Sequence, residues 1–488
     1  MTRARLDRRG GRGRFVALVL AAGALAGGGV LGNRPGHEPP RTALQPAALA
    51  ADAAPLASTS SSWFCPGGPG GADGTTQVLL ANAGPRAVRI GAVVVNARGV
   101  HRRDDFILGP HAESAIAPAQ LVHGAWLASR VAVAGGAESA VEMVDGPRGR
   151  AVAPCASEVS SHWYFASGST KAGSTLSVAL FNPTPNLAVV DLSFVTGSGF
   201  TAPAPFQGIV VKPWALLTLT VGRYVQNQGS VATVVAARTG AVVAEELELY
   251  GSAGTAGLSL ALGAPAPSTR WDLPSVEDAS GGASALAVFN PSERGEHVVV
   301  AVRLPTGPVE PFTQTVGPQS VWTLTTSDQL RIGTDQPYTV EVRSTGPGTV
   351  VARVGAGGPL GPAPWWAADL AVNGLETSAA HRWLIAALPA GPSPTTALAA
   401  QPHASRFASS ELVVENPGAR PVGVDVTWWG ASGTRHDRRL RVPGHGRTAV
   451  VAPGRPVVVR ADLPIAVVGD ASPAGIVGVV GIPAVPLR

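Results

Sequence analysis

The chain has 488 residues, of which 60 are Gly, 43 are Pro, 45% are hydrophobic and 14% are charged. At roughly 150 residues per domain, this length predicts three or four domains. The hydrophobic content excludes a wholly disordered chain. Only one apolar stretch approaches the length that spans a bilayer, which excludes a membrane protein with many spans.

The formal net charge of +5 comes from a short N-terminal arm. Residues 1–14 hold six arginines and one aspartate, so the rest of the chain is formally neutral. A neutral body has no long-range field that attracts phosphate groups. Nucleic acid is therefore not an expected partner.

An uncharged apolar stretch, residues 15–32, follows the basic arm directly. This order is typical of an export signal, and its length leaves two interpretations, an uncleaved signal anchor or a removed signal peptide. The arm would stay cytoplasmic in either case. Residues 33–61 are rich in Pro, Ala and Ser and are predicted to be an extended spacer. The expected location is the cell membrane, with the C-terminal part extracellular, or outside the cell.

The only two cysteines are Cys65 and Cys155. Outside the membrane a thiol pair tends to oxidise, so they are predicted to form a structural disulfide. Closing a loop of this length stabilises the fold by about 4–5 kcal/mol in the chain-entropy model. The spacing does not match a metal site or a redox pair, both of which need ligands closer together in sequence.

A unit of about one hundred residues recurs along the chain. Each copy begins with a Trp, and a strand-like run that ends in Asn follows it after 19 residues in three copies and 33 in the last. The Trp residues are predicted to cover the open end of each unit, and the Asn residues to be turn devices. The Trp residues are Trp63, Trp163, Trp271 and Trp383. The Asn residues are Asn82, Asn182, Asn290 and Asn416.

Short strands separated by Gly, Pro, Asn or Asp dominate these units, and no convincing amphipathic helix interrupts them. Units of this size with about seven strands fit an immunoglobulin-like sandwich. The chain is therefore predicted to be all-β, with four tandem immunoglobulin-like β-sandwich units after the N-terminal export or transmembrane segment. The predicted units are residues 62–157, 158–264, 265–358 and 380–488, with a linker at 359–379.

Several of these features together resemble a known family. They are the export segment, the Pro-rich spacer, the sequence Trp-Phe-Cys-Pro at 63–66, the L-x-V-x-x-N-P strands and the Pro-Cys at 154–155. The family is an uncharacterised actinobacterial one of membrane-associated secreted proteins, described as a domain of unknown function. The resemblance implies an envelope location and supplies no catalytic residues. More loosely, the units look like bacterial immunoglobulin-like modules that act as spacers and adhesive surfaces.

Motifs for chemistry are missing from the sequence. It has no G-x-S-x-G, no H-E-x-x-H and no phosphate-binding loop, so no catalytic, cofactor-binding or metal-binding residues are predicted. The densest histidine group is interpreted as loop residues rather than metal ligands. It consists of His101, His111 and His123. The closest carboxylate cluster is interpreted as a solvated face rather than a cation site. It consists of Glu245, Glu246 and Glu248.

Two Trp doublets are candidates for stacking on sugar rings: Trp365 and Trp366 in the linker, and Trp428 and Trp429 in a strand. The alternative is that they pack at the interface of the third and fourth units, because Trp is costly to leave exposed to water.

The favoured function is that of a non-catalytic envelope scaffold, a membrane-tethered or secreted row of four sandwiches without a cofactor. Its expected partners are envelope proteins or wall polysaccharide. Two alternatives remain: a protein that binds cell-wall glycan through exposed Trp, and a hydrolase without a recognisable motif.

Overall fold

The computed structural model describes residues 60–486 with internal gaps. The gaps are residues 72–73, 137, 147, 253–254, 277–283, 327, 333–336, 356–366, 369–374, 377–379, 386–406, 431, 452–454, 474–479 and 484. The predicted arm (1–14), the export segment (15–32) and almost all of the spacer (33–61) lie outside the described residues, as does most of the linker (359–379). The described part contains no helix that is long and apolar enough to cross a membrane.

Nearly all described elements are β-strands, which confirms the all-β prediction. Segment 1 contains β1 (Ser61–Pro69), β2 (Thr75–Asn82), β3 (Val88–Asn96), β4 (His101–Leu108), β5 (Glu113–Ile116), α1 (Pro118–Leu121), β6 (Trp126–Ala134), β7 (Glu138–Gly146) and β8 (Gly149–Pro154). Segment 2 contains β9 (His162–Phe165), β10 (Thr175–Asn182), β11 (Ala188–Thr196), β12 (Gly199–Thr201), β13 (Ile209–Val211), β14 (Ala215–Thr220), β15 (Val231–Thr239), β16 (Val243–Ser252) and β17 (Thr255–Leu262), with two 3-10 turns at Ala204–Phe206 and Val221–Arg223.

Two further segments follow along the chain. Segment 3 contains β18 (Arg270–Val276), β19 (Ser284–Asn290), β20 (Glu296–Leu304), β21 (Gly307–Pro308), β22 (Phe312–Val316), β23 (Ser320–Thr325), β24 (Tyr338–Ser344) and β25 (Val350–Gly355). Two short strands come next, β26 (Ala367–Ala368) and β27 (Leu375–Glu376). Segment 4 contains β28 (Ala380–Ile385), β29 (Phe407–Asn416), β30 (Val422–Trp429), β31 (Arg435–Val442), β32 (Gly446–Val451), β33 (Val457–Pro473), β34 (Val480–Pro483) and β35 (Val485–Pro486).

Within the described residues, all four segments share one pattern of antiparallel pairing. In segment 1, β6 lies between β1 and β3, and β2 lies between β5 and β7. In segment 2, β15 likewise lies between β9 and β11, and β10 between β14 and β16. In segment 3, β24 lies between β18 and β20, and β19 between β23 and β25. In segment 4, the long β33 takes two places, because its first half pairs with β28 and β30 and its second half with β29.

This strand order differs from the immunoglobulin order. In an immunoglobulin sandwich the first strand lies beside the second, and the last lies beside the sixth. Here β1 lies beside β6, and β7 lies beside β2, so these two strands have exchanged sheets. The immunoglobulin-like part of the prediction is therefore not confirmed at the level of strand order, and the unit boundaries stay predictions.

Each segment encloses an apolar core between its two sheets. In segment 1 the core includes Trp63, Val78 and Ile90, which come from β1, β2 and β3. Alternate residues of β2 and β3 are buried in this way, which is the period expected of strands with one face in a core. The recurring strand order thus places the same faces inward in successive segments.

The outer faces of several sheets are also buried, because neighbouring segments pack on one another. Segments 1 and 2 meet through clusters that include Val144, Ala153 and Leu260. The core of segment 3 extends to Ala166 and Val195 of segment 2. That of segment 4 extends into segment 1 through a set of apolar residues on β2, β7 and β8. They are Ala81, Val141, Met143 and Val152.

The contact between segments 1 and 4 corrects the expectation of a row. In a row, the first and last units would not touch. The outer face of β7 explains the difference, because seven consecutive residues of this strand are buried and its apolar outer side chains need a cover. Segment 4 supplies part of that cover.

A glycine in β1 is required by this packing. The strand has a bulge between Cys65 and Gly68, and Gly67 within it has φ of +86°. A Cβ at Gly67 would lie 1.5 Å from the carbonyl oxygen of Leu127. The bulge therefore depends on a residue without a side chain.

We expect Gly67→Ala to lower the free energy of unfolding by at least about 2 kcal/mol, because the substitution adds both a backbone clash and an unfavourable φ. Gly71→Ala is the matched control, since no atom lies within 4 Å of a Cβ built there. Urea denaturation of the two purified variants measures the difference. Equal stability of the variants would contradict the close approach at Gly67.

Candidate functional site

In segments 2 and 3 the repeated Trp joins the start of the segment to its later part by a hydrogen bond, whereas the buried indole nitrogen of Trp63 has no such partner among the described residues. Trp63, Trp163 and Trp271 are all buried. The indole N–H of Trp163 donates to the carbonyl of Val242 at 2.8 Å, and that of Trp271 donates to the carbonyl of Thr349 at 2.8 Å. These bonds join residues about eighty positions apart, a role that the sequence did not indicate. The side chain of Trp383 lies outside the described residues.

The repeated Asn residues lie at equivalent turns and are fully buried. In segment 2, the Oδ1 atom of Asn182 accepts from the amide of Thr184 at 3.0 Å. Its Nδ2 atom donates to the carbonyls of Asn186 at 2.7 Å and Val211 at 3.1 Å. The first two bonds are the local turn that the sequence predicts, and the third joins this turn to a second turn, 29 residues later.

The same clasp recurs in the other segments. Asn82 donates to the carbonyl of Gly109, Asn290 to that of Gly317 and Asn416 to that of Pro443, at 2.8, 2.8 and 3.0 Å. One amide side chain thus connects two turns in every segment. This arrangement saturates the side chain with backbone partners. Its role is therefore to hold the fold.

Cys65 and Cys155 form the predicted disulfide, across 90 positions of sequence. Glu142 lies beside it, with a carboxylate oxygen within 4.8 Å of both sulfurs, and among the described residues this is the only such set of three metal-type ligands. The two sulfurs are bonded to each other, so neither is the thiolate that binds a metal. While the disulfide is formed, this cluster offers no thiolate ligand to a metal ion.

Glu142 belongs to segment 1 and meets Glu245 of segment 2 at the junction between them. Both side chains are fully buried, so the prediction of a solvated face is wrong for Glu245 and also for Glu246, which is buried in segment 2. The amide of Gly67 donates to Oε1 of Glu142 at 3.3 Å. The other Glu142 oxygen and both Glu245 oxygens lack a donor among the described residues. A proton shared between the two carboxyls would supply one donor for these oxygens.

Burial raises the pKa of both groups. Desolvation lifts the pKa of Glu142 to about 7. It lifts the pKa of Glu245 well above its usual value, and the charge of Glu142 adds to this effect. Two carboxylates in contact cannot both ionise without a large cost, so the junction favours a pair that holds at least one proton.

A different polar cluster lies between segments 3 and 4. Glu341 of β24 accepts from Arg270 at 3.0 Å, from Arg303 at 3.1 Å and from Arg343. Burial would raise the pKa of Glu341, but the hydrogen bond from Arg343 and the charge of Arg270 outweigh it and hold the pKa below its usual value. This carboxylate is therefore ionised and fully paired.

Two further carboxyls adjoin this cluster. Burial raises the pKa of Asp272 to about 6. Glu415, from the end of β29 in segment 4, is also buried, and burial together with the charge of Asp272 raises its pKa well above the usual value. Where Glu415 meets the charged face of segment 3, the raised pKa favours its neutral form.

The candidate glycan-stacking residues of β30 are half-buried. Trp429 stacks on His111, with ring centroids 3.7 Å apart and planes inclined by 4°. Trp428 stacks on His436 at 5.4 Å. Each indole thus has one face covered by a histidine, and Trp429 lies between segments 1 and 4 rather than between 3 and 4. The other two candidates lie outside the described residues: Trp365 and Trp366.

Sequence reasoning missed one exposed indole. Trp214 is 38% exposed and has φ of +53°, and the guanidinium of Arg130 lies 5.3 Å from its ring centroid. The neighbouring Pro213 indicates a turn, which was the one signal that the sequence offered. His101 and His123 are exposed; His123 lies in a loop as predicted, whereas His101 is the first residue of β4 rather than a loop residue.

Comparisons with known proteins give a family but not an activity. A family described as "Family of unknown function (DUF5719)" matches residues 111–407, more than half of the chain. No curated protein matches.

Three solved structures illustrate the likenesses found. The crystal structure of Thermotoga maritima 1070 is 17% identical, over 20% of this chain and 84% of that chain, with a TM-score of 0.18. The Anabaena sensory rhodopsin transducer is 19% identical, over 17% and 92%, with a TM-score of 0.16. A tetra-tandem repeat from the extending region of a large adhesion protein is 14% identical, over 88% and 100%, with a TM-score of 0.11. TM-scores this low carry no argument about function.

We expect Asn182→Ala to lower the free energy of unfolding by about 2–3 kcal/mol, because it leaves buried backbone groups of two turns without partners. Asn186→Ala is the control, since its carbonyl, not its exposed side chain, takes part in the clasp. Thermal unfolding followed by circular dichroism compares them. A loss no greater than that of the control would show that the clasp adds nothing to stability.

The carboxyl pair predicts a fall in stability with rising pH. Both folded pKa values lie above the ordinary value of 4.5, so the stabilising contribution is complete below that pH and is lost as the pH rises through about 7. We expect the pair to account for about 2–3 kcal/mol of lost stability between pH 5 and pH 8.

The measurement is urea denaturation across this pH range. The double variant Glu142→Gln, Glu245→Gln should lose this component of the pH dependence, because it no longer ionises. Glu310→Gln, at a side chain that is 88% exposed, should keep the full dependence. Identical pH profiles for the double variant and the unmodified protein would rule out a shared proton.

Proposed function

The chain belongs to this family of unknown function, and we propose that it is a non-catalytic cell-envelope protein, a membrane-tethered or secreted β-scaffold for protein or wall interactions. In this proposal residues 15–32 direct export, as a signal anchor or a cleaved signal peptide. The four segments act as tandem units of one exported body.

The observation that carries the proposal is the apolar continuity between segments. The core of segment 4 extends onto the outer face of β7 in segment 1. Such packing between segments favours a body that keeps its surfaces in fixed positions, which is what a scaffold requires. The disulfide supports an exported location, because such bonds persist in oxidising compartments.

The acidic and aromatic side chains that could serve catalysis or glycan binding contact other residues of the fold instead. Glu142 and Glu245 are fully buried, so neither reaches a dissolved substrate in this arrangement. No observation favours the alternative of an unrecognised hydrolase. Glycan binding through the β30 indoles is less favoured than the sequence suggested, because His111 covers one face of Trp429.

Thiol labelling in cells tests export. We expect the full-length chain, denatured at lysis to expose its buried cysteines, to react with a maleimide only after reduction, because Cys65 and Cys155 are oxidised outside the membrane. A variant without residues 15–32 should stay in the cytoplasm and react without reduction. Equal labelling of the two chains before reduction would contradict an exported location.

Incubation with isolated wall material tests the absence of catalysis. The full-length chain in detergent should sediment with the wall in a saturable way and release no soluble sugar or peptide. Gly71→Ala protein, which we expect to fold as the unmodified protein does, is purified and incubated in parallel as a reference for correct folding. Turnover of any wall component that scales with the amount of protein would overturn the scaffold proposal.

A further inference from the structure

The outward edge strand of segment 4 concentrates positive charge, although the chain beyond the N-terminal arm is formally neutral as a whole. β31 pairs with β30 at one end of its sheet. Its first five residues are all exposed, and the strand carries four arginines against one aspartate. The arginines are Arg435, Arg438, Arg439 and Arg441.

Two carboxylates offset only part of this charge. Asp437 accepts hydrogen bonds from Thr427 and from Arg435, at 2.7 and 2.9 Å. The Thr427 and Arg435 hydrogen bonds lower the pKa of Asp437, so it stays ionised. Asp425 lies 3.8 Å from Arg439, and both of these side chains are more than half exposed. Exposed pairs of this kind are weak and remain open to another anion.

The simplest alternative is that these charges only protect a free sheet edge. The repeat tests that alternative, because the same edge position recurs in every segment. In segment 1 it is β4, whose two arginines are balanced by two aspartates. In segments 2 and 3 it is β12 with β13 and β21 with β22, which contain no charged residue. Edge protection therefore does not require the net charge of β31.

The geometry also favours one class of anion. Side chains on one face of a strand recur every two residues, about 6.6–6.8 Å apart. Arg439 and Arg441 share a face in this way, and each guanidinium can hold an oxyanion with two hydrogen bonds. Leu440 and Val442, the apolar residues of β31, are buried. The strand therefore offers a line of cations without an apolar anchor for a lipid surface.

We propose that β31 is a binding surface for a linear anionic polysaccharide, which lies along the strand and is held by Arg435, Arg439 and Arg441, the three arginines on its outward face. This inference rests on the proposed function, because the envelope is where such a polymer would be met. Carboxylate or phosphate groups along the polymer meet the guanidinium groups, and binding releases counterions.

Binding of the full-length chain in detergent to polygalacturonate, measured by isothermal titration calorimetry, tests the proposal. We expect saturable binding that weakens with salt. The variant Arg435→Gln, Arg439→Gln, Arg441→Gln should bind about tenfold or more weakly, with a salt slope smaller by about two to three. The control variant is Arg89→Gln, Arg102→Gln, Arg103→Gln, which removes the same charge from β3 and β4 of segment 1.

The control should bind as the unmodified protein does, and neutral dextran should not bind. Both variants must first melt at the unmodified temperature, which separates lost binding from lost folding. Equal weakening in the two variants would overturn the proposal in favour of a general charge effect. Binding that depends on β31 to phosphatidylglycerol vesicles alone would overturn it in favour of a membrane surface. Either failure leaves the scaffold proposal standing, since that proposal fails only on turnover of wall material or on reduced thiols.

Discussion

The structure depends on the burial of both faces of a sheet. Seven consecutive residues of β7 are buried, because its inner side chains fill the core of segment 1 and meet segment 2 at Val144, while its outer ones meet segment 4. When a sheet is covered on both faces, the sequence of its strands is a near-continuous apolar run rather than a strict alternation of apolar and polar residues. The Val- and Ala-rich ends of the repeats and the low charged fraction of 14% follow from this requirement. Small side chains also allow the sheets of neighbouring segments to approach closely.

A carboxyl group that is buried at a junction between segments either keeps its proton or, if ionised, pairs with cations. Glu142 and Glu245 meet without a cation, and a shared proton removes the cost of two buried charges. Glu341 stays ionised, because three arginines surround it. The two junctions therefore respond to solution conditions in different ways. Deprotonation weakens the first as pH rises. In the second, salt and acid act on the ion pairs of Glu341, and a rising pH also ionises Asp272 and Glu415.

The strands, the disulfide and the local Asn turns could be predicted from sequence, since each depends on residues close together in the chain or on a single possible pairing. The strand order could not, because exchanging β1 and β7 between sheets leaves the alternation of each strand unchanged. The burial of Glu245 escaped prediction for a related reason. Its cover comes from Gly67 and Glu142 in another segment, and no local pattern encodes a neighbour that distant in sequence. The stacking of His111 on Trp429 is hidden in the same way.

The repeated strand order makes the four segments internal controls for one another. Equivalent positions with equivalent residues, such as the buried Asn of each turn, serve the fold that all segments share. Positions where one segment departs from the others need a separate explanation. Glu142 and Glu246 occupy equivalent places opposite Val78 and Val178, and both are buried, but only Glu142 meets a carboxyl of another segment. β31 departs from its three counterparts in net charge while keeping their place at the sheet edge. Because the common fold does not require that charge, its cause lies in what the exposed edge meets in solution.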